Sequence, residues 1–199
     1  MALPVFRVVP LKMLPYDNKN EFQVVVDMPE GTTLERTDAV TRQLADHLAS
    51  VAEVRDYQLY VGLASPMDFN GMVRHYFLRR GANLAEIRVN LADKKRRAQQ
   101  SHTLLLRIRD DLTAIADREG AKIKLVEVPP GPPVLASITA EVYGPAEATY
   151  DELIAAARRV ETRLAREPCV RDVDISAEDH QDRLVFETDK PKAALSGVS

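Results

Sequence analysis

The sequence predicts an α+β fold, a split βαβ sandwich (βαββαβ) followed by an incomplete second unit of the same kind. Three observations carry that expectation. Apolar residues alternate between strand-like runs and helical stripes in the order strand–helix–strand, twice, before residue 129. The cluster Pro129-Pro130-Gly131-Pro132-Pro133 then interrupts the chain. Beyond it the order begins again, and both copies place Val-Arg-Asp (54–56 and 170–172) just over 20 residues after a capping threonine, the mark of an internal repeat.

Each element has its own local reason. Glu21 to Asp27 is a β-branched run punctuated by Met28-Pro29-Glu30-Gly31, as a strand entering a turn should be. Thr32-Thr33-Leu34-Glu35 reads as a capping box on Thr32 and Glu35, and Val40, Leu44, Leu48 and Val51 follow at helical spacing. Val54 to Val61 alternates as a strand. Gly62 to Val73 has no period and carries two glycines, a proline, two methionines and a phenylalanine, which describes an apolar, flexible loop. Arg74 to Phe77 and Glu86 to Leu91 read as one or two strands around a turn at 80–83. Leu104, Leu105, Ile108, Leu112 and Ile115 form a second helical stripe, with Gly120 suited to its C-terminal cap. Ala121 to Val128 is the closing strand. In the second unit the expected strands are 137–144, 169–175 and 183–188, around a helix capped by Thr149 and Glu152. Such a βαββαβ order is the ferredoxin-like arrangement.

Composition narrows the function. The chain has 199 residues, 45% hydrophobic and 29% charged, with a formal net charge of −3. An acidic balance argues against a nucleic-acid coat, and no aromatic RNA-binding pattern follows Gly81. The lone Cys169 excludes an internal disulfide framework and a cysteine-rich metal site; after Pro168 it reads as a small buried apolar residue. Leu3 to Leu11 is too short and too proline-broken to span a bilayer. His47, His75, His102 and His180 stand without a second ligand at zinc spacing. There is no phosphate-binding glycine loop and no Gly-x-Ser-x-Gly around Ser65. Glu178, Asp179 and Asp182 suit a solvated turn, and Arg79-Arg80 and Lys94-Lys95-Arg96-Arg97 a solvated charge face. The expectation is a protein that is not an enzyme and needs no cofactor or metal. The 62–73 loop has two readings: a lid packed onto the sheet, or an adaptable surface for apolar ligands built from Leu63, Met67, Phe69 and Met72.

Two stretches carry a family resemblance. Val9 to Thr37, with Leu14-Pro15, an acidic residue, a strand, Pro29-Glu30-Gly31-Thr32 and a helix, resembles the start of the second periplasmic loop of resistance-nodulation-division (RND) efflux transporters of the multidrug branch. Arg183 to Ser199, with Asp189-Lys190-Pro191-Lys192-Ala193-Ala194 and Gly197-Val198-Ser199, resembles the element where such chains leave the porter region for the docking domain. The resemblance implies that residues 1–20 follow a membrane helix of the parent protein. It implies one complete porter subdomain over 21–132 and the first half of a second over 133–199. It implies a proton-driven inner-membrane pump with this segment in the periplasm, working as a homotrimer with a periplasmic adaptor and an outer-membrane channel. Its substrates would be apolar or amphiphilic small molecules passing through an inter-subdomain cleft. The segment matching the family's switch loop is Gly62 to Arg74, so Leu63, Met67, Phe69 and Met72 become substrate-contact candidates. Val126 and Val128 lie on the strand matching the substrate-lining strand, and Asp174 is placed near the cleft mouth. The alternatives are a pump of the heavy-metal branch and a free-standing ferredoxin-like binding or regulatory module.

Overall fold

The computed structural model describes residues 18–128, 136, 138–178 and 184–197. Its centre is a four-stranded antiparallel sheet in the spatial order β2-β3-β1-β4, formed by β1 (Glu21–Asp27), β2 (Val54–Leu63), β3 (Arg80–Leu91) and β4 (Lys122–Glu127). Helices α1 (Leu34–Ala49) and α3 (Ser101–Arg118) cover one face. Strand alternation sends Phe22, Val24 and Val26 of β1, Ile87 and Val89 of β3, and Ile123 and Leu125 of β4 toward those helices. There they meet Val40, Leu44 and Leu48 of α1 and Leu104, Ile108 and Leu112 of α3 in one buried cluster. Val51 and Ile115, the last members of the two predicted stripes, pack at its margin.

The helix ends show which local signals held. Thr33, one residue later than expected, caps α1, its hydroxyl accepting from the Arg36 N–H, while the Thr32 hydroxyl turns back to the Pro29 carbonyl at 2.6 Å. With two adjacent threonines the cap falls to the one whose backbone enters the first turn. Gly120 takes φ +70° just past α3, and the next N–H, from Ala121, closes on the Ala116 carbonyl at 2.9 Å. A side chain there would strain the left-handed backbone.

Several expectations are corrected between β2 and β3. Arg74 to Phe77 is not a strand. Residues 69–73 form the short helix α2 (Phe69–Val73), capped by Asp68, and Tyr76–Leu78 make a 3₁₀ turn. Five residues are too few for a helical period to register in the sequence. β3 is a single twelve-residue strand because it has a partner on both sides, β1 over 84–90 and β2 from Arg80 onward.

The second unit differs more. Helix α4 (Tyr150–Leu164) forms with its Thr149–Glu152 capping box intact, and α5 (Lys190–Leu195) follows later. The described parts of the three expected strands, within 138–144, 169–175 and 184–188, make no ladder. A strand needs a neighbour to satisfy its backbone groups, and these segments have none. Cys169 is consequently exposed rather than buried. Ser137, Arg183 and the 129–133 cluster lie outside the described residues, as do His180, Asp179 and Asp182.

Leu44 is fully buried between α1 and the sheet. We expect Leu44→Ala to lower the unfolding free energy of the chain by about 2–5 kcal/mol, read from urea denaturation.

Candidate functional site

The face of the sheet opposite the helices carries polar side chains. Register places Gln23 opposite Arg88 and Val126, and Val25 opposite Glu86 and Lys124. All six therefore share this face, on which neither α1 nor α3 packs. Yet Val25, Glu86, Gln23 and Val126 are buried there. The cover is the 64–79 segment.

Glu86 holds it down. Only 1% of this residue is exposed. Its Oε2 accepts from Gln23 Nε2 at 2.8 Å and from the Ser65 backbone N–H at 3.0 Å. Its Oε1 lies 3.5 Å from Arg79 Nε. Arg79 also donates to the Val26 carbonyl at 3.3 Å and pairs with Asp27. On the neighbouring register position Arg88 donates to the Ser65 hydroxyl at 3.2 Å and pairs with Asp68. Both ends of the segment, Ser65 and Arg79, are thus tied to one carboxylate. A carboxylate so deeply desolvated persists only with donors and a counter-charge around it.

The segment is inverted relative to ordinary amphipathic packing. Its polar Ser65 and Asn70 are buried, because the sheet beneath them is polar. Its apolar residues face outward: Leu63 is 56% exposed, Met67 63%, Phe69 62% and Met72 44%. Phe77 and Leu78 are exposed as well. The lid reading of this loop is therefore overturned for those side chains. Leu63, Ala64, Ser65, Phe77 and Arg80 line an open groove of about 400 Å³. A backbone irregularity between Val61 and Leu63 sets that edge. Gly62 sits there at φ +78°, where an added Cβ would come within 2.7 Å of Leu34 Cδ1.

The family model described as AcrB/AcrD/AcrF matches residues 1–199. The chain belongs to this family, the RND transporters. Among solved structures it is similar to two crystal forms of a heavy metal efflux pump. Form II has TM-score 0.60 at 18% identity, and form I 0.62 at 16%. Each match covers 94% of this chain and 18% or 19% of the pump. The chain thus spans about a fifth of those pumps' length, and at these identities the likeness is one of fold. No curated protein matches the chain.

In this RND family member the seven candidate positions separate into three groups. Leu63, Met67, Phe69 and Met72 stand together on the exposed loop. Val126 is buried on the sheet face opposite Gln23, and Val128 is half-buried just past β4. Asp174 is an ion-paired carboxylate. It pairs with Lys124 and lies 3.7 Å from Lys122 Nζ, so its charge is already matched. Arg109–Asp172 and Lys122–Glu161 add to the same seam between α3, β4 and the 150–178 segment. Sequence reading missed the seam and the Glu86 network alike. Glu86 did leave one signal, the lone acid of β3, set between the apolar Ala85 and Ile87.

The histidines and the basic runs take the following places. His102 Nδ1 contacts Glu127 Oε2 at 2.7 Å and His47 lies 3.8 Å from Asp111, so both face carboxylates. Among the described residues no cluster of His, Cys, Asp and Glu could hold a metal. Neither Arg79 nor Arg97 is part of a solvated charge face: Arg79 is committed to Asp27 and Glu86, and Arg97 donates to Asn18 Oδ1 and the Lys19 carbonyl, each at 2.9 Å.

Burial pulls the Lys124 ammonium down, but the Asp174 hydrogen bond and the charges of Asp27 and Asp174 outweigh it and hold the group above its ordinary value. A raised lysine stabilises fully below the unfolded-state value and loses that contribution as pH rises through the folded one. We expect the gap in Tm between the chain and Lys124→Gln to be constant near neutrality and to close in strongly alkaline buffer. For the loop anchor, Glu86→Ala should lower the unfolding free energy by about 3–5 kcal/mol. It should also open Arg74, Arg79 and Arg80 to rapid tryptic cleavage, followed by mass spectrometry.

Proposed function

We propose that this chain is periplasmic porter segment of a proton-driven inner-membrane efflux pump, and that its 63–78 segment contacts apolar or amphiphilic substrates in transit. The observation that supports this is the inverted loop. A segment anchored through its polar side chains holds four large apolar side chains in water, a cost that only an apolar contact offsets. Methionine and phenylalanine suit varied shapes, because neither demands a hydrogen-bond partner. The segment's task is binding and release rather than bond chemistry, and no cofactor enters. Export requires that the ligand favour one cleft state over another, since only differential affinity moves such an equilibrium. In this reading residues 21–132 act as one subdomain and 133–199 as the beginning of the next. The pump works as a homotrimer with an adaptor and an outer-membrane channel, and proton coupling belongs to membrane helices elsewhere in the parent protein.

A second reading has one observation in its favour: the two crystal forms compared above are described as a heavy metal efflux pump. Soft thioether sulfur suits monovalent copper, and Met67 and Met72 share the loop. Met28, by contrast, is buried in the core.

In the full-length transporter, we expect Met67→Ala/Phe69→Ala/Met72→Ala to lower resistance to apolar dyes and detergents several-fold with trimer assembly unchanged. Shortening 63–72 should alter the resistance spectrum in the same way. Minimum inhibitory concentrations and cross-linking read both. Unchanged resistance to every organic compound, with copper or zinc resistance reduced, would favour the metal reading.

A further inference from the structure

Arg80 opens β3 directly opposite Leu63 at the end of β2, and both line the groove with Ala64, Ser65 and Phe77. Its volume of about 400 Å³ falls within the roughly 300–1,000 Å³ of small-molecule sites. Two of its walls, Leu63 and Phe77, are large, apolar and exposed, so a hydrocarbon body laid against them leaves water on both surfaces.

The charges around the groove are unequal. Residues 63–80 carry three arginines against one aspartate, in a chain whose formal net charge is −3. Arg79 is matched by Asp27 and Glu86, and Arg88 by Asp68. Those are the carboxylates of the loop and of the sheet beneath it, and all are committed. The Arg80 guanidinium pairs with no carboxylate among the described residues, and it is exposed at the groove. An unmatched guanidinium beside apolar walls suits a carboxylate or sulfate, which it can bind through two parallel hydrogen bonds. A quaternary ammonium headgroup in the same place meets a like charge.

We infer that the groove between Leu63, Phe77 and Arg80 selects anionic amphiphiles, with the hydrocarbon on the two apolar side chains and the carboxylate or sulfate on Arg80. This rests on the export reading above and names the substrate class for it. Arg80 is then a specificity-determining residue, and the committed Arg79 and Arg88 are not.

The test compares three detergents with one tail: dodecyl sulfate, dodecyl maltoside and dodecyltrimethylammonium. Cells lacking other exporters carry the full-length transporter, its Arg80→Gln variant or its Arg80→Lys variant. We expect Arg80→Gln to lower the inhibitory concentration of dodecyl sulfate about two- to fivefold, as loss of one exposed charge pair would. Maltoside resistance should stay level and ammonium resistance should hold or rise, while Arg80→Lys keeps most of the sulfate resistance. Equal losses for all three detergents in Arg80→Gln, or no loss for any, would overturn the inference and leave the export reading standing. A parent transporter that protects against none of the three would overturn both.

Discussion

A carboxylate removed from water costs several kcal/mol unless donors and a counter-charge surround it, and Glu86 has two donors on Oε2 and the Arg79 guanidinium 3.5 Å from Oε1. Gln23 comes from the neighbouring strand, Ser65 from one end of the loop and Arg79 from the other. Because a donor comes from one end of the loop and the counter-charge from the other, compensating the carboxylate and closing the loop over the sheet are one event. The direction of the loop's other side chains follows. With a polar sheet face beneath, Ser65 and Asn70 turn in, and Leu63, Met67, Phe69 and Met72 turn out. The apolar surface proposed to meet substrate thus results from a polar anchor, not from a shortage of core to bury it in.

How much of this the sequence carried depends on the range of the interactions involved. The stripes Val40/Leu44/Leu48 and Leu104/Ile108/Leu112, the strand runs and the Gly120 cap are local patterns. Each could be read because periodicity and backbone preference act within a few residues. The Thr149–Glu152 box is local too and was legible to the residue. Thr32 against Thr33 was not, since adjacent capping residues differ only in where the chain turns. The short helix at 69–73 fell below the length at which a period shows. Least legible were pairings across long separations: Glu86 with Gln23 lies 63 positions away and Arg109 with Asp172 likewise 63. The pairing of Asp174 with Lys124 of β4, 50 positions away, was equally out of reach.

The join between the sheet unit and the 150–178 segment is of another kind. α4 is amphipathic, yet none of its residues is buried. What ties this part of the chain to α3 and β4 is a row of charges: Arg109–Asp172, Lys122–Glu161 and Lys124–Asp174. Pairs near the surface contribute little individually and are weakened by salt. An ionic join of that sort lets two parts separate and re-engage without exposing apolar core. Lys124 is the exception, half enclosed and flanked by Asp27 on its own sheet, and it is the pair that fixes where the seam sits.

The bulged end of β2 gives the loop a further property. Leu63 and Arg80 are register partners, so the chain leaves the sheet and returns to it at adjacent points, about 5 Å apart. Everything between them is an excursion that starts and finishes at one rung. Nature could therefore exchange the whole excursion as a cassette, altering what the protein recognises while the helices and their hydrophobic interior stay untouched. The recipient scaffold would have to supply only the sheet side chains that hold the newcomer down, here Glu86, Asp27 and Arg88.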